Sequence, residues 1–266
     1  MSSAFHLTDV SVSLGGRTIL HDLSLDIPAA STTAIVGPNG CGKSTLLRTL
    51  SRLQERTGGI HREGRDIGER RPREYAKDVA LLPQSPEAPE NLPVIDLVSR
   101  GRDPHRRWYD QWSEADERVV REALAATGLT DLSERPLGTL SGGQRQRAWI
   151  ALTLAQAPEV LLLDEPTTYL DVAHQIDVLE TVTDLQRRRG ITVVMVLHDL
   201  GMAVRYADHI IAMQDGRIAA AGPADSTLTP EAIREAFGID SVILTDPVTG
   251  RPVIVPHRAP QTVEGT

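Results

Sequence analysis

Residues 37–45 read GPNGCGKST and match the pattern G-x-x-x-x-G-K-[ST]. A glycine-rich loop before a helix lets backbone N–H groups surround an anion, and the helix dipole adds positive potential. The pattern predicts a phosphate-binding loop in which Lys43 reaches the β and γ phosphates and Ser44 is a ligand of Mg²⁺. A glycine-rich turn that matches the pattern by chance is the alternative. The predicted binding residues are Gly37, Pro38, Asn39, Gly40, Cys41, Gly42, Lys43, Ser44 and Thr45.

The stretch VLLLDE, residues 160–165, is an apolar run that ends in two carboxylates. ATPases with a phosphate-binding loop place an aspartate near magnesium at the end of such a strand, and we assign this role to Asp164. Glu165 would then lie near the γ phosphate, where a general base or a residue that orients water is needed. The alternative is a helix cap followed by a favourable first-turn acid, which Pro166 also fits.

Two further apolar runs are followed by polar side chains that suit the same site. TVVMVLH ends in His198, and LLPQSP contains Gln84. Ligands in open α/β sheets bind at the carboxyl ends of parallel strands, so His198 is expected near the γ phosphate or the attacking water. The amide of Gln84 is expected to reach both Mg²⁺ and that water. A purely structural histidine is the alternative for His198.

A second glycine-rich segment, TLSGGQRQR at residues 139–147, also precedes a helical pattern. Its paired glycines could expose backbone N–H groups to a phosphate, again at a helix N-terminus. Unlike residues 37–45, it contains no lysine. The sequence therefore raises the question of which phosphate this segment contacts.

The pattern of apolar residues indicates the elements that hold these segments. Residues 7–27 alternate around Gly15 and Gly16, which predicts antiparallel strands with a tight turn. Residues 33–37, 79–82, 160–164 and 192–198 are short apolar runs typical of a buried, mainly parallel sheet. A helix after the first loop is expected to place four leucines on one face. They are Leu46, Leu47, Leu50 and Leu53.

The segment between Gln84 and Leu140 is rich in proline and then helical at residues 114–127, without a long apolar strand. The predicted fold class is α/β: a P-loop NTPase sheet core with an N-terminal antiparallel β subdomain and an inserted α-helical subdomain. We predict an ATPase domain over residues 5–240, with the helical subdomain at 85–150. Residues 241–266 form a tail with a β-hairpin, and the chain is expected to fray beyond Pro256.

Bulk composition excludes several classes of function. The formal net charge of −8 argues against nucleic acid as a partner, because binding to its backbone requires a basic face. No apolar run approaches the roughly 20 residues of a membrane-spanning helix, and the N-terminus does not resemble a signal peptide. The single cysteine excludes an internal disulfide. We therefore expect a cytoplasmic chain whose membrane role, if it has one, requires a partner.

With GPNGCGKST, Gln84, LSGGQ, VLLLDE and His198 in this order, the chain resembles the nucleotide-binding subunit of an ABC transporter over nearly all of residues 5–240. The resemblance implies ATP and Mg²⁺ as cofactors and two subunits, as a homodimer, closed head to tail over two ATP molecules. The loop at residues 37–45 of one subunit then faces the LSGGQ segment of the other. That segment contributes Ser141, Gly142, Gly143 and Gln144, and Asp171 lies in the family's loop between the two sites.

Finer motifs are similar to those of ATPases that power import of ferric siderophores, with haem and cobalamin importers close to them. These motifs are RGRDPH (100–105), LSGGQRQRAWIA, DEPTTYLDVAHQ (164–175), VLHDL, RYADH (205–209) and DPVTGRPVIVP. The resemblance implies a dimeric membrane permease and an extracytoplasmic substrate-binding protein as partners, and a peripheral position on the cytoplasmic face of the membrane. The aromatic and basic segment RRWYDQW (106–112) is predicted either to dock the permease or to pack in the core.

A soluble, non-transport ABC ATPase is the alternative outside transport. Repair ATPases insert long coiled coils between the two glycine-rich segments, and the sequence has no sustained heptads there. One departure from the family concerns Leu14, which stands where an aromatic residue usually stacks on adenine. We expect weaker selectivity for adenine, because an aliphatic side chain lacks the ring-on-ring contribution of roughly 0.5 to 1.5 kcal/mol.

Overall fold

Each of the four apolar runs predicted as buried strands, at residues 33–37, 79–82, 160–164 and 192–198, contains a strand, and a helix follows the first glycine-rich loop. The structure is a computed structural model that describes residues 2–107, 109–168 and 170–257. The strands are β1 (Ser3–Leu14), β2 (Arg17–Pro28), β3 (Thr32–Val36), β4 (Thr57–Arg62), β5 (Arg65–Asp66), β6 (Val79–Leu82), β7 (Val160–Asp164), β8 (Thr192–Val196), β9 (His209–Gln214), β10 (Arg217–Pro223), β11 (Asp240–Thr245) and β12 (Pro252–His257). The helices are α1 (Lys43–Leu50), α2 (Pro72–Asp78), α3 (Val94–Ser99), α4 (Glu114–Ala126), α5 (Gly142–Ala155), α6 (Val172–Arg189), α7 (Leu200–Tyr206), α8 (Ala224–Thr227) and α9 (Pro230–Phe237). None of these described helices is long and apolar enough to cross a bilayer.

The N-terminal strands form an antiparallel sheet in the order β2-β1-β4-β5. β1 and β2 pair around the Gly15-Gly16 turn, with Leu14 opposite Arg17. The predicted N-terminal antiparallel sheet is therefore confirmed. The pairing of β4 with β1 was not predicted, because β4 has the short sequence TGGIHR with little apolar alternation.

The central sheet has the order β10-β9-β3-β8-β7-β6. Strands β3, β6, β7, β8 and β9 run parallel, and β10 pairs antiparallel with β9 at one edge. Every residue of β3, β7 and β8 is buried, as expected for strands covered on both faces. The predicted parallel sheet is confirmed, and its parallel strands bring their carboxyl ends to one edge.

Both faces of the central sheet carry a hydrophobic core. Successive strand side chains point to opposite faces, so Ile35 packs toward α1 and the N-terminal sheet while Ala34 and Val36 pack on the other side. On α1, three leucines (Leu46, Leu47 and Leu50) are fully buried. The prediction for Leu53 is wrong: α1 ends at Leu50, and Leu53 lies beyond the helix with 70% of its surface exposed.

The segment between β6 and β7 is helical, as predicted. Helices α3 and α4 pack on α5, and α4 begins with a capping box in which Ser113 and Asp116 exchange hydrogen bonds. The predicted limit of the helical subdomain at residue 150 falls inside α5, which continues to Ala155. The apolar face of α5 continues past residue 150 through Ala151 and Leu154, which are buried against the sheet core.

A buried ion pair holds the C-terminal end of α5. Arg102 Nε lies 2.9 Å from Asp116 Oδ1 on α4, and Arg102 Nη1 donates to Ala155 O at 2.9 Å. Burial would raise the pKa of Asp116, but the hydrogen bonds from Ser113 and Arg102 outweigh this effect and hold the pKa below its usual range. The motif RGRDPH thus joins α4 to the end of α5.

The C-terminal tail contains the predicted hairpin, in which β11 pairs antiparallel with β12. In the turn, Arg251 Nη1 donates to Val204 O at 2.7 Å, to Arg205 O at 3.1 Å and to Ala207 O at 3.0 Å. These carbonyls lie at the C-terminal end of α7, where helix geometry leaves them without intrahelical partners. The remainder of the predicted tail and its fraying, at residues 258–266, lies outside the described residues.

Candidate active site

The loop between β3 and α1 wraps tightly because its three glycines, Gly37, Gly40 and Gly42, adopt backbone angles that favour glycine. Gly37 has φ 154°, and a Cβ there would overlap the carbonyl oxygen of Met213 and lie 2.7 Å from Cys41 Sγ. Gly42, at the N-cap of α1, has φ 104°. The loop therefore runs directly from the buried strand into the helix, and the N-terminus of α1 faces the loop interior.

Lys43 occupies the interior of this loop. Its side chain is buried, and Nζ donates to Gly37 O at 2.8 Å and to Pro38 O at 2.9 Å. An ammonium group has three donors and a compact charge, which suits a ring of carbonyl and phosphate oxygens. The structure thus places the positive charge of Lys43 at the centre of the predicted phosphate site.

Ser44 and Asp164 meet at the base of the site. Ser44 Oγ donates to Asp164 Oδ1 at 2.8 Å, which joins the first turn of α1 to the last residue of β7. Burial raises the pKa of Asp164, and the hydroxyl of Ser44 partly offsets that effect. A hydroxyl and a carboxylate oxygen side by side are the hard donors that Mg²⁺ prefers, so the residues present fit this ion.

Glu165 is held by three side chains from different elements. Gln84 Nε2 donates to Oε2 at 2.5 Å and Thr168 Oγ1 at 3.0 Å, while His198 Nε2 lies 2.7 Å from Oε1. Gln84 and His198 each lie two residues beyond a strand, β6 and β8, instead of on the last strand residue as predicted. Glu165 itself has φ 53°, an angle that non-glycine residues adopt at a cost of about 1–3 kcal/mol.

Ser141 and Gln144 form the N-terminal cap of α5. Gln144 N donates to Ser141 Oγ at 3.2 Å, and Ser141 N donates to Gln144 Oε1 at 3.1 Å. This reciprocal capping box leaves the N–H groups of Gly142 and Gly143 in the first turn of α5 without intrahelical partners, with Gly142 exposed and Gly143 buried. Ser141 Oγ acts as an acceptor in this pair, so its own proton can still be donated to an outside oxygen.

Asp171 is the N-cap of α6. Its Oδ1 accepts hydrogen bonds from His174 N at 2.9 Å and from His174 Nδ1 at 2.7 Å. These hydrogen bonds lower the pKa of Asp171 below its usual range. Asp171 is therefore held in place by the first turn of the helix that it caps.

The predicted site residues fall into two groups. One cluster lies at the carboxyl ends of the parallel strands and contains Lys43, Ser44, Gln84, Asp164, Glu165 and His198. The capped start of α5 and Asp171 form a second group. Among residues 2–107, 109–168 and 170–257, no hydrogen bond or ion pair joins the two groups directly.

Two polar contacts of the site were not predicted from the sequence. Thr168 donates to Glu165 from three residues along the chain, and His174 binds Asp171. A threonine at that spacing is a common local partner of a carboxylate, and His174 lies in the first turn after a capping aspartate. Both spacings are visible in DEPTTYLDVAHQ, but a contact between residues so close in sequence does not by itself indicate a functional role.

Leu14 and two aromatic residues of the segment 106–112 lie on the surface. Leu14, at the end of β1, is 42% exposed. In the segment 106–112, Tyr109 is 57% and Trp112 is 41% exposed, and the guanidinium of Arg106 lies 5.1 Å from the Trp112 ring centroid. Trp108 lies outside the described residues. The exposure of Tyr109 and Trp112 does not fit packing of this segment in the core.

Comparisons with known proteins give the same family as the motifs. The model of the ABC transporter family matches residues 20–168, which include both glycine-rich segments, Asp164 and Glu165. Petrobactin import ATP-binding protein FpuD of Bacillus anthracis is 48% identical over 97% of this chain and 94% of its own length. Ferric enterobactin transport ATP-binding protein FepC of Escherichia coli is 46% identical over 95% of this chain and 94% of its own length.

Two further similarities are more distant. Hemin import ATP-binding protein HmuV of Gloeobacter violaceus is 39% identical over 93% of this chain and 92% of its own length. Among solved structures, a chain from an inward-facing metal-chelate type ABC transporter has a TM-score of 0.84 and 28% identity, over 97% of this chain and 98% of that chain. The family match and the similarity along the whole chain agree with the geometry of the site. The chain belongs to the ABC transporter family, as one of its ATP-binding and ATP-hydrolysing proteins.

Proposed function

We propose that this ATPase powers import of an iron–siderophore complex through a membrane permease. Its similarity to ATP-binding proteins for petrobactin and enterobactin, at 48% and 46% identity, supports a siderophore as the cargo. Import of haem is the second candidate, because a hemin import protein is 39% identical. Because the identity to the hemin import protein is lower, we favour a siderophore as the cargo.

In this proposal the loop at residues 37–45 binds the phosphates of ATP. Lys43 contacts the β and γ phosphates, because its ammonium already lies among the loop carbonyls of Gly37 and Pro38. The N–H groups of the loop and the N-terminus of α1 provide the remaining contacts to the anion. A nucleotide thus replaces interactions that the loop makes with its own lysine.

Mg²⁺ would be held by Ser44 and Asp164, with the amide oxygen of Gln84 as a further ligand. When bound, the ion would neutralise negative charge on the phosphates of ATP. The 2.8 Å hydrogen bond between Ser44 and Asp164 supports this assignment, since both oxygens already lie side by side. Gln84 contacts Glu165 through its nitrogen, which leaves its amide oxygen available as a ligand.

We propose Glu165 as the general base for the attacking water. The hydrolytic mechanism rests on one observation, the set of side chains that hold this carboxylate. His198 contacts one oxygen of Glu165, and Gln84 and Thr168 contact the other, so the orientation of this carboxylate is fixed from both sides. A base must be positioned within hydrogen-bond reach of the proton that it removes. In this role His198 orients Glu165 and the γ phosphate, and Gln84 links the base to the ion.

The segment Ser141–Gln144 is proposed to complete the site of a second copy of the chain. Ser141 is exposed at the helix start and keeps a proton to donate, and the helix dipole of α5 favours the γ phosphate there. A homodimer explains why this segment has no lysine: Lys43 of the other copy binds the same phosphate. Asp171 would lie between the two sites of that dimer.

We further propose that the aromatic and basic segment at 106–112, in which Tyr109 and Trp112 are exposed, docks a dimeric permease that receives cargo from an extracytoplasmic binding protein. Large exposed aromatics beside arginines are typical of partner surfaces. The chain would then be peripheral to the cytoplasmic face of the membrane.

The cargo is tested by growth of a strain that lacks this chain on single iron sources. We expect lost growth on at least one defined ferric siderophore and unchanged growth on haem. Expression of the wild-type chain should restore growth, and expression of Glu165→Gln should not. A defect on haem alone would replace the siderophore with haem, and no defect on any iron chelate would reject iron import.

A further inference from the structure

The second glycine of the LSGGQ segment is buried against a histidine of the same chain. Gly143 lies in the first turn of α5 with ordinary helical backbone angles, so its φ does not require glycine. A Cβ at this position would overlap the ring carbon Cδ2 of His174 and lie 2.9 Å from its Cγ. Space for the imidazole, rather than backbone conformation, therefore demands glycine here.

His174 also binds the loop that precedes its own helix. Both its backbone N–H and its ring Nδ1 contact Oδ1 of Asp171, at 2.9 and 2.7 Å. A hydrogen bond to a carboxylate requires the proton on Nδ1, which fixes the tautomer and the ring plane. The ring that fills the space beside Gly143 is thus oriented by Asp171.

The same two helices meet again one turn further along. Arg147 on α5 lies 3.7 Å from Asp177 on α6, four and three residues beyond Gly143 and His174. These spacings place both contacts on the facing sides of α5 and α6. His174 therefore lies where α5 and α6 face each other, one turn before the Arg147–Asp177 pair.

We propose that His174 is a positioning residue that couples Asp171 to the LSGGQ segment within one subunit. The inference rests on the proposed role of these two segments in a closed dimer. If Asp171 shifts when the partner nucleotide is bound or hydrolysed, the imidazole carries that shift to the start of α5. The segment contacting one nucleotide and the loop between the sites would then move as one unit.

A purely structural role for His174 would give different results from a positioning role. Such a residue would stabilise the first turn of α6, and its loss would lower stability without changing turnover by the assembled transporter. A positioning residue should instead lower kcat while leaving KM for ATP unchanged, because the phosphate-binding loop is built from other elements. The two ring functions, packing and hydrogen bonding, can also be separated by substitution.

The packing contact is tested on the isolated full chain by urea denaturation. Gly143→Ala should lower the unfolding midpoint, because its methyl group overlaps the imidazole. His174→Ala should raise the midpoint of the Gly143→Ala chain, since it removes the group that is overlapped. If the double variant is no more stable than Gly143→Ala alone, the imidazole of His174 does not pack on Gly143 as proposed. This measurement does not depend on hydrolysis, so its outcome is separate from that of the proposed function.

The coupling is tested by ATPase assays of the chain assembled with its permease. His174→Leu keeps bulk but loses the donor to Asp171, and we expect kcat to fall about tenfold with KM for ATP unchanged. His174→Asn keeps a short N–H donor and should retain kcat within about threefold. His6→Leu is the matched control, because His6 Nδ1 binds Asp26 Oδ1 at 2.9 Å in an exposed pair on the N-terminal sheet. Wild-type kcat in His174→Leu, or equal losses in both His174 variants, would overturn the proposal.

Discussion

Glu165 Oε1 and His198 Nε2 lie 2.7 Å apart at the carboxyl ends of two neighbouring strands, β7 and β8. The other carboxylate oxygen of Glu165 accepts from Gln84, which follows β6 on the opposite side of β7. Three adjacent parallel strands thus converge on a single carboxylate. Parallel pairing is what makes this convergence possible, because it aligns the ends of all three strands.

Replacing Glu165 by glutamine should abolish most hydrolysis while keeping ATP binding. Glutamine keeps the size of the side chain but cannot accept the proton of the attacking water, so kcat should fall by about 10²–10⁴-fold. Single-turnover hydrolysis and binding of a fluorescent ATP analogue measure the two properties separately. We also expect the variant to accumulate as a dimer with ATP in size-exclusion chromatography. Turnover like that of the wild type would remove Glu165 as the base.

Lys43→Ala should lose nucleotide binding, and Lys43→Arg should not restore it. The ammonium lies between two carbonyl oxygens at 2.8 and 2.9 Å, and a planar guanidinium does not fit that geometry. Isothermal titration with MgATP measures the effect. Lys77 is the only other lysine, and Lys77→Ala is the matched control that should bind as the wild type does. Binding by Lys43→Arg with unchanged affinity would contradict the proposed fit.

Ser141→Arg should block hydrolysis while the isolated chain still binds ATP. The residue is exposed, so the arginine can be accommodated within one chain but would obstruct a second copy. Losing the cap costs about 1 kcal/mol of stability. Thr229→Arg removes a comparable exposed cap, at the start of α9, and should lower stability without stopping hydrolysis. If Ser141→Arg hydrolyses ATP normally, the LSGGQ segment does not contribute to a shared site.

Arg102→Met should destabilise the chain by about 3–5 kcal/mol, because it leaves the carboxylate of Asp116 buried without its charged partner. Replacing both residues, as Arg102→Met with Asp116→Leu, should recover much of that loss. Urea denaturation measures both effects. An Arg102→Met chain as stable as the wild type would show that the pair does not hold the end of α5.

The same ion pair predicts a pH dependence. The pKa of Asp116 is lowered in the folded chain, so its contribution to stability is complete above the pKa of an unfolded aspartate, about 3.9. It is lost as the pH falls through the folded value. The difference in stability between the wild type and the doubly substituted chain should therefore shrink in acid.

Cys41 should react slowly with alkylating reagents at neutral pH. Burial raises the pKa of its thiol, against the opposing charge of Lys43, so less thiolate is present than in a free cysteine. The rate relative to the urea-unfolded chain should be low at pH 7 and should rise as the pH passes above the ordinary thiol pKa, about 8.5. Mass spectrometry follows this reaction without ambiguity, since the chain has one cysteine. MgATP should slow it further, and a rate equal to that of the unfolded chain at pH 7 would contradict the prediction.

Much of the fold could be predicted because its signals are local. Local sequence patterns of about ten residues, either glycine spacing or apolar runs, predict the phosphate-binding loop, the central parallel strands and the helix at 114–126. Strand β4 was not predicted, because its short sequence has little apolar alternation and is specified by pairing with β1, far earlier in the chain. Strands β9 and β10, which pair with each other across a tight turn, were also not predicted. Leu53 was assigned to a helix that ends at Leu50, since periodicity alone does not fix a terminus.

The candidate site shows the same limit. The elements that carry Ser44, Asp164 and Glu165 follow from motifs, but the hydrogen bonds among them depend on how the strands pair. The contacts of Gly143 with His174 and of Arg102 with Ala155 join segments that no sequence spacing relates. Such contacts depend on how the helices pack. The periodicity of apolar residues in a single sequence does not show which residues of two packed helices meet.

The hydrogen bonds of Arg251 change how the catalytic unit should be delimited. Its guanidinium donates hydrogen bonds to the carbonyl groups at the C-terminal end of α7. At the other end of this helix, His198 directly precedes the N-cap residue Asp199. A chain truncated at residue 240 would leave those carbonyls exposed and free one end of the helix next to the site. Expression of a minimal ATPase should therefore retain the hairpin, and affinity tags are better placed at the N-terminus, away from the turn that Arg251 occupies.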